Sequence, residues 1–270
     1  MKRIAGAVAV ACALGALAMP ARADQPLWEL GVGLGHLSLP YYRGAATSQR
    51  WWLPVPYFVY RGEILRADRE GTRAVLFDAE NVDFDISVAA TAPADSNDDA
   101  ARAGMPDLAP TAEIGPQLNV RLARGPGWHV DLRMPVRAVV LLQSRPRGAG
   151  WSASPVLNLD VAIPRGNVGL QAGALWGSRR LNGYFYDVAP VYATADRPAY
   201  TAGSGYAGWQ ATAAVSRRVG AYWIGAFARR DSLAGAAFEA SPLVKRRDFW
   251  TYGFAVSWVF AQSERRVEER

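Results

Sequence analysis

From Leu27 to Phe260, apolar and polar residues change places at every second position, in segments of roughly ten to fourteen residues. The last segment is the clearest. Trp250, Tyr252, Phe254, Val256, Trp258 and Phe260 fall on one side, and Thr251, Gly253, Ala255, Ser257 and Val259 on the other. A repeat of two means an extended strand, because successive Cβ atoms point to opposite faces. Ile114, Leu118, Val120 and Leu122 oppose Glu113, Gln117, Asn119 and Arg121 in the same way. So do Trp128, Val130, Leu132, Met134 and Val136 against His129, Asp131, Arg133 and Arg137. The pattern predicts strands near 27–38, 50–60, 62–68, 72–77, 80–91, 110–124, 127–141, 151–163, 166–178, 207–218, 221–231 and 248–260.

The lengths of the connections test that count independently. Bacterial barrels have short turns at the periplasmic end and long loops outside. With the N-terminus inside, the outer connections are 39–49, 69–71, 92–109, 142–150, 179–206 and 232–247. The inner ones are Arg61, 78–79, 125–126, 164–165 and 219–220. All the long loops fall on one side. The expected fold is therefore all-β: a transmembrane antiparallel up-and-down β-barrel of about twelve strands, with ten as the fallback. The ten Trp and eleven Tyr suit aromatic girdles at the two bilayer interfaces. A soluble sandwich would rarely place Trp, Tyr and Phe at every outward position of one strand. Mean hydropathy is near neutral at −0.04; polar lumen positions dilute the average of a membrane barrel.

The ends divide the chain further. Met1-Lys2-Arg3, the charge-free stretch Ile4 to Met19 and Ala21-Arg22-Ala23 have the plan of a secretory signal peptide over 1–23, cleaved between Ala23 and Asp24. The barrel then covers 24–260, and 261–270 is a charged periplasmic tail. Cleavage removes the only cysteine, Cys12, and lowers the formal net charge of +6 by the three charges of Lys2, Arg3 and Arg22. No disulfide, thiolate chemistry or cysteine metal site is then available. Basic residues are scattered and no nucleic-acid-binding motif is present, so nucleic acid is not an expected partner.

Inward polar positions carry both signs: Asp83, Asp85, Glu113, Arg121, Asp131, Arg133, Arg137 and Asp160. In a confined lumen such groups need partners, so a mutually neutralising plug is expected in preference to an open ion pathway. Phe260, ending the last strand, is similar to the terminal aromatic that outer-membrane assembly machinery reads.

Several strings resemble one family. They are Pro40-Tyr41-Tyr42-Arg43-Gly44, Leu53-Pro54-Val55-Pro56-Tyr57 with Tyr60-Arg61-Gly62, and the acidic run Asp95 to Asp99. That run leads into Arg102-Ala103-Gly104-Met105-Pro106-Asp107-Leu108; Glu113 with Gly115-Pro116, and Leu233 with Ser241-Pro242-Leu243-Val244, complete the set. Together they resemble the MltA-interacting protein / OmpV family over essentially the whole mature chain. The resemblance implies a cell outer-membrane barrel, and a scaffold role joining a murein transglycosylase to a murein synthase. The tail after Phe260 departs from the family pattern.

Other motifs are weaker. Asp95-Ser96-Asn97-Asp98-Asp99 has alternate-oxygen spacing, but Ala100 and Pro106 stand where a calcium loop needs Gly and Glu. The expectation is a solvated outer loop. His36-Leu37-Ser38 puts an imidazole and a hydroxyl on one strand face, a spacing similar to the catalytic pair of lipid A deacylases, but no third member stands out. No cofactor fingerprint is present, and two histidines build no recognisable transition-metal site. Arg145-Pro146-Arg147, Arg179-Arg180 and Lys245-Arg246-Arg247 lie in outer loops, where lipopolysaccharide offers anionic contacts.

The sequence therefore points to a non-enzymatic outer-membrane scaffold in contact with membrane lipid and lipopolysaccharide. A narrow channel for small solutes and a lipid A-modifying enzyme using His36 and Ser38 are the alternatives.

Overall fold

The computed structural model describes residues 25–61, 65–68, 71–78 and 81–267. The signal peptide expected over 1–23 and its expected cleavage site at Ala23 and Asp24 lie outside the described residues. The strands are β1 (Gln25–Pro26), β2 (Trp28–Pro40), β3 (Ser48–Arg61), β4 (Leu65–Asp68), β5 (Gly71–Asp78), β6 (Val82–Thr91), β7 (Thr111–Gly125), β8 (Trp128–Leu141), β9 (Arg147–Ala153), β10 (Val156–Ile163), β11 (Gly166–Gly177), β12 (Gly205–Val219), β13 (Tyr222–Ser232), β14 (Asp248–Gln262) and β15 (Arg266–Val267).

Among the described residues thirteen segments form one sheet in which every neighbour is antiparallel. β9 and β10 both lie between β8 and β11, so they share one stave and the wall has twelve. The sheet closes on itself as β14 pairs with β2 and β10 with β8. The sequence expects one strand over 151–163. Its division follows from Pro155, which has no N–H for the ladder.

Outward and inward faces alternate as the sequence pattern requires. Val32, Leu34, Trp258 and Phe260 are each more than half exposed, and they point away from the lumen. Outward aromatics gather at two heights. Phe58, Trp128, Tyr222, Trp258 and Phe260 lie toward the tight-turn end; Trp52, Trp151, Trp176, Trp250 and Tyr252 lie toward the long-loop end. Between them runs an apolar band of Leu, Val and Ile.

The seam between the first and last long strands is built on glycine. Gly31 and Gly33 face inward on β2, and a Cβ at either position would strike a backbone carbonyl of β14, at Trp258 and Val256 respectively. Their role is close approach of two backbones. Beyond the seam the tail turns back, and Arg266–Val267 pairs with Gln25–Pro26.

Candidate functional site

Most of the fully buried large hydrophobic side chains lie in the loops above the barrel wall, while Val139 and Leu141 of β8 are buried in the wall itself. Tyr42, Leu108, Tyr186, Val188, Leu233, Phe238 and Leu243 from the long loops form one cluster with Phe249 at the start of β14. This cap plugs the loop end of the barrel.

Each loop is held by specific bonds. Gly44 adopts φ +91°, a conformation L side chains avoid, and this brings its carbonyl to the amides of Lys245 and Arg246. The Tyr42 hydroxyl donates to the Leu243 carbonyl at 2.8 Å. The connection after β11 contains a helix, α1 (Arg179–Tyr186), whose N-cap Ser178 accepts from the Leu181 amide. Tyr186 ends that helix. Its ring stacks on Phe238 with centroids 3.7 Å apart, and its hydroxyl donates to the Arg43 carbonyl at 2.9 Å. Ser241 closes the contact by donating to the Tyr186 carbonyl.

The string Arg102 to Leu108 locks the acidic loop onto this cap. Arg102 is 4% exposed. It donates to the Ser96 hydroxyl and to the carbonyls of Phe185 and Pro106, with its guanidinium 5.6 Å from the Tyr42 ring centre. Gly104 has φ +79°, Met105 packs on the cap, Asp107 accepts from the Ser96 amide, and Leu108 bridges to Ala94. Arg197 reaches across from the helix-bearing loop to the carbonyls of Ala101 and Ala103. The sequence expects a solvated loop around Asp95 to Asp99. Asp95 and Asp98 are exposed, but Asp99 is buried and accepts from Thr47 and from the Ala101 amide.

Burial sets the electrostatics of the cap. It raises the Tyr42 phenol well above its usual range, with Asp99 adding to the effect, and raises Tyr186 in the same direction. Burial also lowers Arg102, against the opposing pull of Tyr42, Tyr184 and Asp99.

Below the cap the inward charges sort into clusters. Asp131 accepts from Arg121 and lies within 3.4 Å of Arg133 and 3.2 Å of His129. Asp160 lies 3.6 Å from both His129 and Arg133 and accepts from Asn158. His129, Asp131 and Asp160 bring three ligand-type atoms within 4.8 Å of one another. Arg121 and Arg133 already sit on those carboxylates, which opposes a bound cation. Asp85 accepts from Asn119, and Asp83 shares its face of β6. Arg137 donates to Ser87 and Ser154, while Glu113 accepts from Ser152.

Two clusters escape the sequence reading. Glu29 accepts from Arg218 and Tyr57, and fully buried Asp231 pairs with Arg43 and Arg229. Each includes a pair far apart in sequence, Glu29 with Arg218 at 189 positions and Arg43 with Asp231 at 188, and it is barrel closure that joins those pairs. Asp85, Asn158 and Ser257 are each no more than 1% exposed, which describes a crowded lumen.

His36 lies among aromatic rings on the outer wall, 5.0 Å from Trp52 and 5.6 Å from Phe254 between ring centres. Ser38 is buried, and no hydrogen bond joins it to His36 among the described residues. Phe260 ends the outward aromatic row of β14, which continues to Gln262.

The family model for MltA-interacting protein MipA matches residues 32–260. The chain belongs to that family. Among solved structures, similarity extends to an outer membrane channel of the COG4313 type from Pseudomonas putida F1 at 14% identity. It covers 90% of this chain and all of that one, with TM-score 0.44. Outer membrane phospholipase A from Escherichia coli is similar at 10% identity over 87% of this chain and 94% of that one, with TM-score 0.32. No curated protein matches the chain.

Proposed function

We propose that this barrel sits in the outer membrane with its cap outward, does not conduct along its axis, and acts as a non-enzymatic interaction protein of the cell envelope. The observation that carries the reading is the cap: a hydrophobic core of its own above a lumen filled by paired charges. A solute pathway along the axis would have to break Tyr186–Phe238 stacking and the Arg102 bonds together. The apolar outward band with aromatics at both heights supports a bilayer surround. The family description names an interaction with MltA, and a murein transglycosylase, with a murein synthase beside it, is the partner class proposed here.

Three experiments test the reading. In planar bilayers the purified chain is expected to be silent, and stepwise conductance from the intact barrel would replace it with the channel alternative. Cross-linking in intact envelopes should recover a murein transglycosylase, and its absence across replicates would remove the partner. Unchanged lipid A acylation is expected with and without the protein; altered acylation would revive the His36 and Ser38 alternative.

A further inference from the structure

Above Tyr60, β3 has a paired strand on one side only among the described residues. Its ladder with β2 runs unbroken from Ser48 to Tyr60, while β4 meets only Tyr60 and Arg61. The sequence explains the bare edge. Pro54 and Pro56 lie in that continuous ladder, opposite Leu34 and Val32. A proline fits such a ladder only where its nitrogen points away from the partner strand. Both prolines therefore turn their missing donors to the open side, and no strand can pair fully there.

Across the opening stand the top of β6, beyond its last described pairing with β5 at Ser87, and the acidic loop. Between the start of β3 and the acidic loop lies a cavity of about 930 Å³. Ser48 and Arg50 share the outward parity of Trp52, whereas Gln49 and Trp51 have the inward parity, yet all four line it. The cavity therefore reaches both faces of β3 near its loop end, on the side where no second strand pairs with these residues among the described residues. Its loop side carries Asp95, Asp98 and Asp107, and its strand side carries Arg50. None of these four has an ion pair among the described residues. Trp51 and Leu108 add apolar surface.

We propose that this cleft binds small amphiphilic cations, with an amine head on the carboxylates and an apolar body against Trp51. The net negative lining selects the head, the aromatic ring favours a cation beside it, and the volume suits a small organic molecule. The inference goes beyond the scaffold reading and shares only the barrel with it.

The test is a fluorescence titration of dansylcadaverine, a primary alkyl amine carrying an aromatic fluorophore, against the full chain in phosphatidylcholine nanodiscs, with empty discs subtracted and its N-acetylated neutral form as control. The amine is expected to bind saturably and more tightly than the neutral form. Replacing Asp95, Asp98 and Asp107 together by Asn should weaken it at least about tenfold, each exposed carboxylate contributing a few-fold. Because Asp95 and Asp107 accept from amides of the loop and Asp98 accepts from the Tyr41 hydroxyl, misfolding could mimic that loss. Arg50→Gln removes that cation and should tighten amine binding about threefold, a gain that a folding defect does not give. Equal binding of the two forms, no saturation, or no gain in Arg50→Gln would overturn the proposal.

Discussion

Phe238→Ala separates the cap from the wall that carries it. Phe238 is 1% exposed and stacks on Tyr186 with centroids 3.7 Å apart. Truncating a buried Phe costs ~3–5 kcal/mol, of which the ring pair accounts for about 0.5–1.5 kcal/mol. Phe238 lies outside the strand ladder, so the loss falls on the equilibrium between closed and open cap. At about 1.4 kcal/mol per factor of ten, the open state should gain roughly a hundredfold to several-thousandfold. Hydrogen exchange read by mass spectrometry checks this. Peptides spanning 179–190 and 233–247 should lose protection by that factor, while β12, β13 and β14 keep theirs. Loss spread evenly through those strands, or no loss in the cap, would refute a separately packed plug. Tyr186→Phe keeps the stack and removes only the bond to the Arg43 carbonyl, so its effect should be near 1 kcal/mol.

Other expectations follow from the wall and the lumen. Asp231→Ala leaves Arg43 and Arg229 facing each other without their fully buried carboxylate; the cost should be ~3 kcal/mol, seen as a lower temperature for loss of the folded band on gels. Gly33→Val puts a side chain into the Val256 carbonyl at the seam, and refolding into the heat-modifiable form should fail, whereas Gly148→Ala, with open space around it, should refold normally. The raised phenols of Tyr42 and Tyr186 set the alkaline limit: both folded values lie above the ordinary 10.0, so their contribution is complete below pH 10 and is lost as pH climbs beyond it. Phenolate absorbance should show late-titrating tyrosines, with one fewer in Tyr42→Phe and one fewer in Tyr186→Phe.

The wall was legible because a period of two is a local property. Trp250 to Phe260 reads as a strand from spacing alone, and β14 spans it. The cap was not legible, because its stability is tertiary. Arg179–Tyr186 includes Gly183 and forms a single short helix, held by Ser178 at its start and by Phe238 at its end. A signal was present nonetheless: Leu233, Phe238, Leu243 and Val244 are apolar residues in a supposed outer loop, with no strand period to explain them. The inward charges could be named from alternation, but their grouping could not. Register decides that Asp131 meets Arg121, and only ring closure brings Arg218 to Glu29.

Gln25 and Val267 are opposite partners in a two-residue ladder. Among the described residues the chain thus returns to its own start, beside the glycine seam. A short linker there, with new ends placed in one of the tight turns such as 164–165, would give a circular permutant in which β2 and β14 become interior neighbours in the gene. Such a chain tests whether the order in which staves are synthesised matters to a cylinder whose finished form has no first or last member.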